Sequence, residues 1–251
     1  MPTLKEQFLD IIFPRHCLGC NALLTTTPEQ KRISYICQPC LKSIAFKNDF
    51  ACAFCGSPVK NGKTCPYCTR EYFLDRLIVT ASYENPLVEK MLKTVKYRFV
   101  RSLADDIASS MSQYLKIKIA AGIIPDNGSM TVVPVPLSPR RLNWRGFNQS
   151  EIIAKHIAGS FDWLLSTKLL TRTRSAKPQA DMPNRQARIE NMVNIFKTNL
   201  NQANPAYLAG KNILLIDDIS TSGSTLNDCA RALKGAGAKE VIGFVFARNK
   251  N

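Results

Sequence analysis

The sequence predicts an α/β protein, a mainly parallel sheet flanked by helices, preceded by a small four-cysteine metal-binding domain. Three observations carry that prediction. Strand-length apolar runs alternate with helix-period segments from Leu77 to Ala247, an order that calls for right-handed crossovers and therefore parallel strands. Eight of the nine cysteines fall in four Cys-x-x-Cys pairs before residue 70. Finally, the branched run Ile213 to Ile216 ends in Asp217-Asp218 and then a hydroxyl-rich glycine turn.

Taken in order, the first 70 residues form one unit and residues 71–251 another. The pairs Cys17/Cys20, Cys37/Cys40, Cys52/Cys55 and Cys65/Cys68 each place two thiolates on one point, and two such knuckles complete a tetrahedral Zn²⁺ site. Sequential pairing gives two sites in chain order; interleaved pairing is equally compatible with the spacing. Disulfides would need an oxidising compartment, but Glu6 and Asp10 interrupt what a secretion signal would keep apolar. An Fe–S cluster also fits four cysteines. With no apolar run of about 18 residues to suggest a membrane span, a cytoplasmic protein is expected. A segment this short buries little core, so metal binding is expected to supply its folding energy.

Beyond it, Leu77–Ser82 reads as a strand, Pro86–Tyr97 and Leu103–Leu115 as helices, and Asn127-Gly128-Ser129 as a turn. Val132 to Leu137 is a buried strand stopped by Pro134 and Pro136. It leads into a turn carrying Arg140, Arg141 and Arg145, whose planar guanidinium forks suit phosphate oxygens. A helical stretch from Gln149 to Ala158 follows, then strands at Lys168–Thr171, Asn212–Ile216 and Val241–Ala247. The helix Leu226–Lys234 is closed by Gly235 and Gly237. Cys229 falls on its apolar face as a small hydrophobe, and neither His16 nor His156 is given a role.

The richest segment is Ile213 to Thr225. Ligands of open α/β sheets bind outside the carboxyl ends of strands, where Asp217 and Asp218 can accept hydrogen bonds from a polyol. Thr221, Ser222, Gly223, Ser224 and Thr225 open a helix whose unpaired N–H groups suit a phosphate. Ordinary Ser/Thr capping would explain the hydroxyls but not the acid pair before them. No lysine completes a Walker A loop, and Gly235-x-Gly237 follows a helix instead of opening one.

Asp217 to Thr225 resembles the phosphoribosyl pyrophosphate (PRPP) motif of type I phosphoribosyltransferases. The resemblance implies that Asp217 and Asp218 hold the ribose hydroxyls and serve catalysis, while Thr221–Thr225 cradles the 5′-phosphate. Arg145-Gly146-Phe147-Asn148-Gln149, with the proline-punctuated strand before it, resembles the ComF family of competence proteins and its GntX-like relatives. That likeness covers nearly the whole chain. Its third block, with Arg172, Arg174, Gln179 and Arg188, is similar to the family's active-site segment, though Ala176 stands where relatives usually carry threonine. The resemblance implies a double zinc ribbon with two structural Zn²⁺, Mg²⁺-bound PRPP, and a diphosphate held by Arg140, Arg141, Arg145, Asn148, Gln149 and the third block. It also implies a part in natural transformation or DNA utilisation, with single-stranded DNA or a competence helicase as partners. The acceptor substrate is not named by it.

Charge fits an anionic ligand. The chain carries +15, falling to about +11 with two four-thiolate zinc sites of −2 each. From Pro139 to Lys197 eleven lysines and arginines face four acids, a field that steers PRPP or tracks a nucleic-acid backbone. Three classes of function follow: a phosphoribosyltransferase, a PRPP-binding sensor without turnover, and a nucleic-acid or partner-binding adaptor.

Overall fold

The computed structural model describes residues 14–24, 34–98, 100–125, 130–173, 195–199 and 208–249. Among the described residues, the cysteine-rich segment contributes one short helix, α1 (Gln38–Lys42), and two single 3-10 turns. After it come β1 (Arg76–Ser82), α2 (Pro86–Tyr97), α3 (Arg101–Ala120), β2 (Met130–Pro134), α4 (Pro139–Arg145) and α5 (Gln149–Phe161). The remainder is β3 (Leu164–Leu165), β4 (Leu170–Arg172), β5 (Phe196–Thr198), β6 (Asn212–Ser220), α6 (Ser224–Gly235) and β7 (Glu240–Arg248).

Five strands form one sheet in the order β1-β7-β6-β2-β3, and every pair in it is parallel. Both faces of the sheet are apolar because β6 and β7 are runs of branched and aromatic residues, as strands covered on both sides must be. One face packs under α2, α3 and α5 through Met111, Tyr114, Ile157 and Phe244. The other packs under α6 and the β4–β5 hairpin through Leu215, Val245, Leu233, Phe196 and Cys229. Cys229 is thus the core residue its helical position suggested.

Helix α2 has the expected bounds because Pro86 occupies its first turn and the Asn85 side chain accepts from the N–H groups of Leu87 and Val88. Helix α3 runs past the expected Leu115 to Ala120. Its last turn is held by Lys118, whose ammonium lies 4.7 Å from the Tyr114 ring centroid and 5.2 Å from that of Phe50, a contact invisible to periodicity.

Two expectations are corrected. The arginine-bearing segment is not a turn but helix α4: Ser138 caps it by accepting from Arg141 N–H, Pro139 starts it, and Gly146 ends it at φ +77°. The strand expected at Lys168–Thr171 begins at Leu170 and lies outside the main sheet, antiparallel to β5. The fifth main-sheet strand is the two-residue β3, too short to show a pattern. The expected turn at Asn127–Ser129 lies outside the described residues.

The cysteine-rich segment is built into the sheet domain. Cys17, Ile36 and Ile44 join the first core and Ala53 the second. Lys47 N–H donates to Thr80 O at 2.9 Å, Thr64 N–H to Asp75 O at 2.8 Å, and the buried Tyr114 hydroxyl to Lys47 O at 2.7 Å. The change in composition near residue 70 marks a change of chemistry, with continuous packing across it.

Candidate functional site

Strand β6 outruns its neighbour β2. Pairing with β2 ends at Pro134↔Ile216, whereas pairing with β7 continues through Asp217↔Val245 to Ser220↔Arg248. The acid pair therefore sits on rigid strand backbone yet beyond the end of β2, facing the space that β2 has vacated. A cavity of about 860 Å³ opens there, in the size range of small-molecule sites.

At its floor Asp217 Oδ1 accepts from the Ser150 hydroxyl at 2.9 Å and from Asp218 N–H at 2.9 Å. The Asp218 carboxylate is buried and ion-paired with Lys96 Nζ at 3.0 Å. Burial, then the charge of Asp218, pushes the Asp217 carboxyl up to about 7, against the pull of Lys96, the Ser150 hydroxyl and the Asp218 N–H. Lys96 and Ser150 carry no signal of their own in the sequence. They sit in helices that the sequence led one to expect, but their meeting with the acids is a tertiary event.

Next to the acids, Thr221 and Thr225 line the same cavity. Gly223 is the N-cap of α6, with φ +79° and no side-chain cap hydrogen bond; Ser224 N–H reaches Ser222 Oγ at 3.5 Å, and the N–H groups that follow it in the first turn are open to an anion. Ser222 and Ser224 hold each other's hydroxyls at 3.0 Å. The third cysteine knuckle, Cys52/Cys55, braces this loop from outside. A Cβ on Gly223 would lie 3.4 Å from Ala53 O and 3.4 Å from the Phe54 ring. Arg248, at the end of β7, donates to the carbonyls of Cys52 at 3.1 Å and Ala53 at 2.6 Å. Asn227 Oδ1, in the first turn of α6, accepts from Phe73 N–H at 2.7 Å.

The arginines divide by burial. Arg140 and Arg141 line the cavity from the exposed side of α4. Arg145 is buried, donates to Gln149 Oε1, and keeps a buried Nε without a partner among the described residues. Such a guanidinium is destabilising unless an anion completes it. Arg172 reaches the cavity from β4 with its guanidinium 5.5 Å from the Phe196 ring centroid. Burial lowers the pKa of both Arg145 and Arg172. Gln149 lines the cavity. Asn148 instead supports the scaffold, because its Nδ2 donates to Val135 O at 3.0 Å and its Oδ1 caps α5 through Ser150 N–H at 3.1 Å. Arg174, Gln179 and Arg188 lie outside the described residues.

The eight cysteines gather as Cys17, Cys20, Cys37, Cys40 and as Cys52, Cys55, Cys65, Cys68, each quartet with its sulfurs within 4.8 Å of one another. Pairing is thus sequential, and the thiols are free of disulfides. Sulfur separations of 3.5 Å (Cys17–Cys37), 3.7 Å (Cys20–Cys37) and 3.6 Å (Cys55–Cys65) approach the ~3.8 Å edge of a tetrahedron with Zn–S bonds of about 2.3 Å. Burial raises the Cys17 thiol, but N–H groups of Cys37, Cys20 and Gly19 outweigh it and bring it to about 6, while the Cys37 thiol holds Cys40 up at about 12. Four thiols so crowded cannot all ionise without a cation between them. At the first knuckle a Cβ on Gly19 would come 2.7 Å from Cys40 Sγ, so only glycine lets the loop close.

Comparison with known proteins agrees with this architecture. A double zinc ribbon domain matches residues 8–69 and a phosphoribosyl transferase domain matches residues 145–251. Competence protein ComFC of Bacillus subtilis is 28% identical over 242 residues, 91% of this chain and 89% of that protein. The DNA utilization protein YhgH of Escherichia coli K12 is 27% identical over 228 residues, covering 82% and 93%. Competence protein F of Haemophilus influenzae is 24% identical over 215 residues, covering 85% and 90%. Over most of its length the chain is thus similar to ComF-type competence and DNA utilization proteins. Its two quartets are structural zinc sites of a double zinc ribbon, and its sheet is the phosphoribosyltransferase fold. Among solved structures, the hypoxanthine-guanine phosphoribosyltransferase of Schistosoma mansoni in complex with IMP aligns at TM-score 0.28 and 14% identity, covering 59% of this chain and 67% of that one; nothing further is drawn from it.

Two outcomes are expected of this site. Native Asp217 keeps a proton to about pH 7 that the unfolded chain releases near pH 4, so its contribution makes stability fall as pH rises across that window. The same deprotonation readies it to accept hydroxyls, so calorimetric affinity for ribose 5-phosphate should rise up to about tenfold from pH 6 to 8 beyond any rise in Asp217→Asn. Second, Cys52→Ser should weaken ribose 5-phosphate by about fivefold or more, because the Cys52–Phe54 backbone holds Arg248 and lies against Gly223. Cys20→Ser, at the remote ribbon, should change it less than about twofold; equal effects would refute the bracing.

Proposed function

We propose that this chain binds PRPP with Mg²⁺ in the cavity at the end of β6 and transfers its 5-phosphoribosyl group to an acceptor. The observation that carries the reading is the convergence of an acid pair, an uncapped helix N-terminus and a partly unsatisfied buried arginine on one cavity. Asp217 and Asp218 accept the ribose 2′ and 3′ hydroxyls, and the first-turn N–H groups of α6 with Thr221 and Thr225 take the 5′-phosphate. Arg140, Arg141, Arg145 and Arg172 face the diphosphate, with Arg174, Gln179 and Arg188 assigned beside them on sequence alone. An acceptor lone pair forms the new bond at ribose C1 while the C1–O bond to diphosphate breaks, and the diphosphate leaves with the electron pair. Arginine charge directed at that leaving group lowers the barrier, and rigid strand and helix ends hold the sugar in line. The diphosphate brings its Mg²⁺ with it, which shares the charge.

The relatives' names support a role in competence or DNA utilisation, which we place in the cytoplasm, where the ribbons and basic surface meet single-stranded DNA or a competence helicase. Among the described residues no helix is long and apolar enough to cross a membrane. A second reading, a PRPP sensor without turnover, is favoured by Lys96 already neutralising Asp218 at 3.0 Å, since an acid so paired binds more readily than it reacts.

Titration of PRPP and Mg²⁺ by calorimetry is the test. Saturable binding is expected, weakened by at least about tenfold per lost charged hydrogen-bond set in Asp217→Ala/Asp218→Ala. No binding by the zinc-loaded wild type would sink the reading. Release of diphosphate on adding an acceptor separates the enzyme from the sensor.

A further inference from the structure

Helix α6 carries a buried ion pair that has no part in lining the cavity. Asp228, one turn in from Ser224, is only 4% exposed, and its Oδ1 accepts from Arg231 Nε at 2.9 Å. Its Oδ2 accepts from two consecutive backbone donors of another element, Ile195 N–H at 2.8 Å and Phe196 N–H at 2.9 Å. Arg231 completes the contact by donating to Phe196 O at 3.3 Å. A carboxylate taken out of water is costly unless its oxygens are well bonded, and here the bonds specify a direction that apolar packing alone would leave loose.

What the pair holds is the β4–β5 hairpin. Its strands have three residues each and, among the described residues, pair only with one another, and a two-stranded ribbon is marginal by itself. The register sets Arg172 opposite Phe196, with its guanidinium 5.5 Å from that ring's centroid. Beside it, the N–H and the hydroxyl of Thr173 both donate to Ile195 O, at 2.8 Å and 2.9 Å. The clamp on Ile195 and Phe196 therefore fixes Arg172, the described residue by which this hairpin lines the cavity. One helix thus offers its first-turn N–H groups to the cavity and also sets the place of a guanidinium in the cavity wall.

We propose that Asp228, together with Arg231, is a positioning residue that fixes the spacing between the phosphate loop and Arg172, so that the cleft favours a ligand with two anionic ends over a ligand with either one. This deepens the PRPP reading and rests on it, with the 5′-phosphate at α6 and the diphosphate toward Arg172. Once one end is bound, the second contact forms with little further loss of freedom, provided the spacing is already set.

Calorimetry on the zinc-loaded full-length protein would compare PRPP with ribose 5-phosphate and with diphosphate, each with Mg²⁺. The proteins are the wild type, Asp228→Asn, Arg231→Gln, Arg172→Ala and the Asp228→Asn/Arg172→Ala pair. Asp228→Asn should weaken PRPP and diphosphate by about tenfold, as loss of a buried charged hydrogen-bond set implies, and ribose 5-phosphate by less than about twofold. Arg231→Gln, at a position only partly buried, should show the same pattern at about threefold and decides the matter if Asp228→Asn fails to fold. In the Arg172→Ala background, Asp228→Asn should cost PRPP less than about twofold more, because both changes remove one interaction. Equal weakening of ribose 5-phosphate and diphosphate, additive losses in the pair, or unchanged diphosphate affinity in the single variants overturns the proposal, as does a wild type that binds no diphosphate. A wild type that binds diphosphate with the expected variant pattern, yet does not bind PRPP, would remove PRPP as the ligand and leave the positioning of Arg172 standing.

Discussion

The candidate site depends on one geometric fact, that β6 continues past the end of β2 while staying paired to β7 as far as Ser220↔Arg248. A strand end that frays cannot hold two carboxylates in fixed directions. Here the backbone hydrogen bonds of β7, and the Asn249 N–H donating to Ser220 O at 2.9 Å, keep the acid-bearing segment extended. The absence of β2 alongside opens the space it faces. The chain then turns at Gly223 directly into α6, so the acid pair and the first-turn N–H groups are separated by one short loop between two rigid elements.

That arrangement explains why the double zinc ribbon is joined to this fold with so little between them. Arg248 ends β7 and reaches back to the carbonyls of Cys52 and Ala53, while Phe54, stacked on Tyr72 at 3.7 Å, lies against Gly223. The second zinc quartet therefore fixes a backbone that the phosphate loop leans on. The first quartet stands elsewhere, over α2, where Lys90 Nζ donates to Leu18 O at 2.7 Å. One metal site buttresses the cleft, whereas the other packs on α2 away from the cavity. Metal binding energy thereby stabilises the ligand site as well as the ribbons themselves.

Much of this was legible in the residues. The order of apolar run, acid pair, hydroxyl-glycine turn and helix names the strand-to-helix crossover, and paired Cys-x-x-Cys knuckles name the metal chemistry, because both are local in sequence. What stayed hidden is tertiary. Ser150 and Lys96 reach the acids across the sheet from helices whose periodicity says only which face is buried. Ser138-Pro139 and Gly146 do spell a helix start and stop, yet the run of arginines between them reads equally well as a basic turn. Asn148 looks like a ligand-binding side chain but is occupied in capping α5, since a cap and a ligand contact use the same amide.

Amide hydrogen exchange on the zinc-loaded protein, with and without PRPP and Mg²⁺, tests the central claim most directly. Slowed exchange is expected at Thr221 to Thr225, where first-turn N–H groups of α6 would bind phosphate, with a smaller slowing at Cys52 to Phe54 behind them. Protection confined to other parts of the chain, or none at saturating ligand, would contradict it.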